Sequence, residues 1–334
     1  MPAPQTAIGK LVQETILKFP ASSKSAIAEL LYANNPQLFN SKEHARTLVR
    51  SYTNALGGRY NSNEVAHEAG FTSTNPFGLN YSRCKDREFY NLPISSNNIL
   101  WLSDIHFPNH DIKALTAALN YGKEKNINCI VLGGDILDNE PFTSHDAPPP
   151  SKDDVLDWFD MVEDFLDMLN REFPNAHKIW LEGNHDNWYM RYLIKKAPML
   201  FGDSYYHLPQ RLNLKEKNIE FFEQHIIIRA GKLHMVHGHT MVKGIISPVN
   251  PARGLFLKAK SSVIIGHVHQ NSYHPERNFK GELIGCWSVG CLCTLAPSYD
   301  PHNTKHGTGF AHITTSENGN FNVQLKDIYN GDII

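Results

Sequence analysis

Two apolar rhythms divide the chain. Over roughly the first sixty residues apolar positions recur three and four apart, while from Ile99 onward they come in short unbroken runs. Ile8, Leu11, Val12 and Ile16 predict one helix, and Ile27, Leu30 and Leu31 a second that stops at Asn34-Asn35-Pro36. Ala45, Leu48, Val49 and Tyr52 form the inner face of a third. Asn40 with Glu43 three positions on is close to a capping box at its start, and Gly57-Gly58 closes it. Three short helices with a tight second turn predict a module of helix-turn-helix type.

The runs that follow predict a sheet with crossing helices. Ile99 to Leu102 is a buried strand, 111–125 a helix and 128–132 a second strand, which together make a βαβ unit. The pattern over 152–173 is an amphipathic helix: Val155, Phe159, Val162, Leu166 and Leu169 face inward, and five aspartates fill the solvated side. A third strand covers 177–181. Shorter strands fall at 219–222, 226–229, 233–236 and 263–265, with a helix over 251–260 and a closing hairpin of 309–314 with 321–328. Residues 61–96, rich in Ser, Asn, Thr, Gly and Pro, keep no period and read as a connecting segment. The expected domains are therefore a helical module at 1–60, that connector, and an α/β domain at 97–334. The stiff 143–150 insert is either a wall for substrate or surface decoration.

Composition narrows the class. With 334 residues and 41% hydrophobic content the chain can bury a large core. A formal net charge of −2 gives no overall field for nucleic acid or membrane. No run approaches the ~18 apolar residues of a membrane span, and the start lacks a basic region followed by an apolar core, so a soluble, cytoplasmic protein is expected. Five cysteines, an odd number, fit reduced thiols; Cys291-Leu292-Cys293 is expected to be a strand with two small buried side chains. Charge is uneven, however. Residues 1–60 carry seven lysines and arginines against three glutamates, a net of +4, and Lys42, Arg46 and Arg50 lie four apart as one stripe. That stripe is either a solvated face or a contact to a phosphate backbone.

Chemistry collects where the apolar runs end. Asp104 and His106, two positions apart, leave the same side of an extended backbone, as two ligands of one metal ion do. Further runs end in Gly134-Asp135-x-x-Asp138, Gly183-Asn184-His185-Asp186, His237-Gly238-His239 and Gly266-His267-x-His269. In this order and spacing the clusters resemble the calcineurin-like metallophosphoesterases, from about Ile99 to the C-terminus. The small helical N-terminal module, and more weakly Gly290-Cys291-Leu292, is similar to phage and bacterial members of that family.

The resemblance implies a four-layer α/β/β/α sandwich and a pair of divalent cations. It assigns Asp104, His106, Asp135 and His269 to one, and Asp135, Asn184, His237 and His267 to the other, with Asp135 bridging. Ligands without thiolate suit Mn²⁺ first, with Fe or Zn²⁺ as alternatives. The reaction implied is in-line attack of a metal-bridging hydroxide on a phosphate ester, with His185 as general acid and Asp138 orienting it. Asp186 is expected to make a structural bond in its loop. His239 either touches substrate or packs; Arg191 and Arg253 either clamp phosphate or form surface salt bridges. Asn139 and Asp186 stand where protein serine/threonine phosphatases of the superfamily have Arg-Gly and Glu, which argues against a phosphoprotein substrate. The expected substrate is a phosphodiester or phosphomonoester, a nucleotide or nucleic acid by preference. The competing expectation is a nucleic-acid-binding protein that uses the helical module and whose phosphoesterase domain has little or no activity. Oligomeric state is left open.

Overall fold

The computed structural model describes residues 7–19, 23–52, 87–143, 152–242, 249–295 and 304–334. The chain divides into two units, Met1–Asp86 and Arg87–Ile334.

The first unit contains α1 (Ala7–Lys18), α2 (Lys24–Asn34) and α3 (Lys42–Tyr52). Their apolar stripes meet in one small core of Val12, Ile27, Ala28, Leu31, Phe39, Ala45 and Val49. Ser23 caps α2 by accepting a hydrogen bond from the Ala26 N–H. The hydroxyl of Ser41 accepts from the His44 N–H at 3.1 Å, so α3 is capped one residue later than Asn40. The connection between these helices runs over 35–41, longer than the turn of about three to four residues that a helix-turn-helix uses. The basic stripe is largely paired: Lys42 with Glu29, and Arg46 and Arg50 with Glu43 at 3.7 and 3.9 Å. Gly57-Gly58 and most of the expected connector lie outside the described residues.

The second unit is built on two sheets. Its elements in order are β1 (Glu88–Asn91), β2 (Asn98–Leu102), α4 (Ile112–Glu124), β3 (Cys129–Leu132), α5 (Lys152–Glu172), β4 (His177–Leu181) and α6 (Asn184–Lys196). Then come β5 (Ile219–Phe222), β6 (Ile226–Ala230), β7 (Leu233–Met235), α7 (Pro251–Ala259) and β8 (Val263–Ile265). The chain closes with β9 (Ser272–Arg277), β10 (Leu283–Ser288), β11 (Gly309–Thr315), β12 (Phe321–Tyr329) and β13 (Asp332–Ile333). One sheet has the order β13-β12-β11-β2-β3-β4-β5, parallel from β2 to β5; the other is β1-β6-β7-β8-β10-β9. β1 lies inside the stretch expected to be a connector and pairs in parallel with β6. Four residues are too few for a period to show.

Alternation along the strands makes the layers. Leu100, Leu102, Ile130 and Leu132 face α4 and α5, while Ile99, Trp101, Cys129 and Val131 face the second sheet, meeting Ile228, Leu233, Met235 and Ile264. Ala252, Leu255 and Phe256 of α7 cover the far side of the second sheet over Val263, Ile265 and Ile284. Helix, sheet, sheet and helix stack as the four-layer sandwich expected. Most of 143–150 is outside the described residues. No described helix is long and apolar enough to cross a membrane.

Candidate metal centre

Every polar cluster stands just past a strand. Asp104 and His106 follow β2, Asp135 and Asp138 follow β3, and Asn184 and His185 open α6 directly after β4. His237 follows β7, and His267 and His269 follow β8. Ligand chemistry at the carboxyl ends of strands is where an α/β sheet leaves room for it.

The side chains meet in two groups that share one residue. Ligand atoms of Asp104, His106 and Asp135 lie within 4.8 Å of one another, as do those of Asp135, His237 and His267. His269 joins the first group, its Nε2 3.2 Å from His106 Nε2 and 3.3 Å from Asp104 Oδ1. Asn184 joins the second, its Oδ1 3.2 Å from His237 Nε2. All seven sequence-derived ligand candidates are therefore brought together, with Asp135 common to both groups.

The hydrogen-bond pattern is what a cation would resolve. His237 Nδ1 donates to the Gly133 carbonyl at 2.9 Å, which leaves the Nε2 lone pair of a neutral ring facing Asp135 Oδ2 at 3.0 Å and Asn184 Oδ1 at 3.2 Å. Lone pairs aimed at oxygens repel unless a proton or a metal ion lies between them. His106 is fixed likewise, with Nδ1 on Asp138 Oδ1 at 3.0 Å and Nε2 turned to His269. Burial disfavours charge on His237 and His269, yet Asp135 holds His237 up to about 9, and Asp104 raises His269 well above its usual value. Burial also works against the Asp135 carboxylate, but His237, His185 and His106 hold it well below the usual range. His267 is driven down to about 4 by burial and by His237, so it is a neutral donor. The centre thus demands positive charge, and its imidazole, carboxylate and amide donors fit two divalent cations.

The scaffold of this centre is itself polar. The buried Asp186 carboxylate accepts five hydrogen bonds at 2.9–3.1 Å: from the N–H groups of Asp135, Ile136, Leu137 and Gly183, and from Trp180 Nε1. That is the structural bond expected of it, enlarged into an anchor for the whole loop that carries Asp135. Burial and the charge of Asp135 push its carboxyl up, against those five donors. The backbone at Asp104 and His106 is not the extended one expected: these two, with Asp135, Asn139, His267 and His269, all have φ between 52° and 67°, the left-handed region. Gly183 and Gly266 are required by close approach, since a Cβ there would collide with the carboxylates of Asp135 and Asp104 respectively.

His185 stands beside both groups. Its Nδ1 lies 2.6 Å from the Asp138 carbonyl and 3.1 Å from Asp138 Oδ1, while its N–H donates to Asp135 Oδ1 at 2.8 Å. Asn139 Nδ2 donates to the His185 carbonyl at 2.9 Å. Burial disfavours the imidazolium, but the charges of Asp135 and Asp138 outweigh it and raise the pKa of His185.

The expected substrate contacts divide. His239 is close, its ring 5.6 Å from that of His237 and 6.1 Å from that of His267. Arg191 is exposed two turns along α6 from His185, at a cavity it shares with Trp188. Arg253 is exposed on α7, and no hydrogen bond or ion pair among the described residues joins its side chain to the centre. Cys291 and Cys293 are buried as expected, but in a strap rather than a strand. The Leu292 N–H donates to Asp104 O and the Thr294 N–H to Asn109 O, and the Cys293 thiol lies within 4.8 Å of the His106 and His269 ligand atoms. The signal for this was the Cys-x-Cys itself; only the long-range pairing gives it a place. Asn109, which donates to Asp138 Oδ2 at 2.7 Å, had no signal in the sequence.

A family model described as calcineurin-like phosphoesterase matches residues 98–288. No curated protein sequence matches the chain. Among solved structures, the chain is similar to Vacuolar Protein Sorting 29 from Cryptosporidium parvum at 13% identity and TM-score 0.34, covering 70% of this chain and 97% of that one. It is also similar to Yfce, a phosphoesterase from E. coli, at 15% and 0.36, covering 71% and 96%. A dimetal phosphatase from Danio rerio matches at 13% and 0.32, covering 67% and 94%. Likenesses this distant carry nothing about substrate.

Proposed function

The chain belongs to the calcineurin-like phosphoesterase family, and from that premise we propose that it is a two-metal phosphoesterase acting on a phosphodiester or phosphomonoester. The observation that carries this reading is the pair of donor groups sharing Asp135. Asp104, His106, Asp135 and His269 would hold one cation, and Asp135, Asn184, His237 and His267 the other, with Mn²⁺ the first choice. When bound, two such ions neutralise the phosphate and supply an activated water. Asp135 ties the two positions together, and Asp186 keeps it there.

His185 has the proton-transfer role. With Nδ1 donating to the Asp138 carbonyl, the second proton of the imidazolium resides on Nε2, the nitrogen left for substrate. Donating that proton to the departing oxygen avoids release of an alkoxide. Asp138 acts through both rings, because its Oδ1 meets His106 Nδ1 and His185 Nδ1 at 3.0 and 3.1 Å. A proton moved at His185 is thereby coupled to the orientation of a ligand.

The test is a pair of measurements on wild type and Asp135→Asn. Dialysis against Mn²⁺ should leave about two ions on the wild-type chain, and bis(p-nitrophenyl) phosphate hydrolysis should fall by about 10³-fold or more in the variant. Activity that survives Asp135→Asn removes the two-metal mechanism. His185→Asn should keep the ions and lose about 10²–10⁴-fold in kcat.

A further inference from the structure

Helix α6 starts at the centre and leads away from it, so the groups it presents lie on the path that a substrate longer than its scissile phosphate would follow. One turn beyond His185, the ring of Trp188 packs on the His185 imidazole, with centroids 3.8 Å apart and planes inclined by 32°. Further along, Tyr192 lies 5.1 Å from Phe142, which comes from the loop after β3. These three rings line a cavity of about 370 Å³ together with Arg191, Lys195 and Lys196. The volume is that of a small-molecule site, and the lining alternates flat apolar faces with cations.

The cations are exposed, and among the described residues they stand apart from the ion pairs of this unit. Elsewhere in this unit Lys123 pairs with Glu172, Arg211 with Glu163, and Lys217 with Asp167. Arg191, Lys195 and Lys196 make no ion pair among the described residues. They come 6, 10 and 11 residues after His185, which at a rise of 1.5 Å per residue places them about 9, 15 and 16 Å along the helix. One phosphate seated at the metal ligands does not reach Lys195. A strand with a phosphate on every nucleotide does.

We propose that this side of α6 is the track for a single-stranded nucleic acid flanking the bond to be cut. Bases would lie against Trp188, Tyr192 and Phe142, and successive phosphates against Arg191, Lys195 and Lys196. This rests on the phosphoesterase reading above and names its substrate class. Interleaved rings and cations separate the candidates. An acidic peptide would satisfy the cations and leave the rings uncovered, and a duplex keeps its bases stacked away from them. A mononucleotide would leave the distal lysines unused.

Two measurements test the track. In the first, fluorescein-labelled oligothymidylate is bound to the full chain with Ca²⁺ in place of Mn²⁺ and followed by anisotropy. Affinity should rise with length from a dinucleotide upward and then level. It should drop about tenfold or more in Tyr192→Ala and in the triple variant R191A/K195A/K196A. The slope of log affinity against log salt should be shallower in the triple variant by about 2, the counterion release of three lost contacts. Length-independent binding, unchanged variants, or equal competition by polyglutamate would overturn the proposal. In the second, Mn²⁺-loaded protein is offered bis(p-nitrophenyl) phosphate and the oligonucleotide. Hydrolysis of the small diester without strand binding sinks the track and leaves the two-metal reading standing. Strand binding that depends on α6 in a protein that hydrolyses neither of these diesters nor p-nitrophenyl phosphate upholds α6 as a strand-binding surface and sinks the two-metal reading.

Discussion

In residues 7–52 the buried side chains of the core are all apolar, Val12, Ile27, Leu31 and Phe39 among them, and Lys42, Arg46 and Arg50 pair with Glu29 and Glu43 on the outside. In residues 87–334 a comparable depth of burial also holds Asp104, Asp135, Asp138, Glu182, Asp186, His237 and His269. The contrast teaches where specificity resides. Apolar packing tolerates substitution of similar volume, whereas a buried carboxylate must find every donor it was built for. The helical unit can drift in sequence and keep its shape; the two-sheet unit cannot drift at its strand ends.

The difference can be sharpened by substitution. Asp186→Ala should be the most damaging change away from the ligands, because five N–H donors lose their acceptor at once. A stability loss of about 3–5 kcal/mol is expected in urea titration, together with loss of Mn²⁺ on dialysis. If the ions stay, Asp186 does not anchor the Asp135 loop. In the helical unit Leu31→Ala should cost about 2–4 kcal/mol, read as faster hydrogen exchange of α1 to α3 with metal content unchanged.

A pH experiment probes the polar side. Burial pushes Glu182 up to about 7 from 4.5, against hydrogen bonds from Asn187 and the Gln224 N–H. The native state therefore binds a proton that the unfolded state has already released, and this group's contribution falls as pH rises from about 4.5 to 7. Glu182→Gln should be more stable than wild type by about 1–3 kcal/mol at pH 8, with no gain at pH 4. A gain at both would assign the effect to packing. The smallest change is expected for Glu43→Ala, which removes the exposed partner of Arg46 and Arg50 and should leave the unfolding midpoint within error.

How much of this was legible in the sequence follows from the range of the interactions. The three N-terminal helices, the strands of the first sheet other than β13 and the clusters that carry the seven ligand candidates could be read, since each needs only local period or a motif beside an apolar run. β1 was missed because its partner β6 lies far along the chain. Helix α6 escapes the apolar pattern because its first turn is a ligand motif and, of its apolar side chains, only Tyr189 and Leu193 are buried. The strap over 290–294 reads as a strand until the backbone of Asp104 and Asn109 is seen to be what it pairs with. The basic stripe of α3 is open to two readings in the sequence, a solvated face or a contact to a phosphate backbone; in the structure its three cations pair with Glu29 and Glu43. The cationic face described along α6 was legible only at Arg191.

The left-handed conformation shared by Asp104, His106, Asp135, Asn139, His267 and His269 limits what chemistry this cleft can acquire by mutation. Asp, Asn and His are the side chains that tolerate such a backbone best after glycine, and they are also hard or borderline donors. A glutamate or cysteine installed at these positions would meet a conformational penalty before it met a metal. The alphabet of the pocket is thus written by its main chain, and descendants of this protein are freer to change what they cut than the means of cutting.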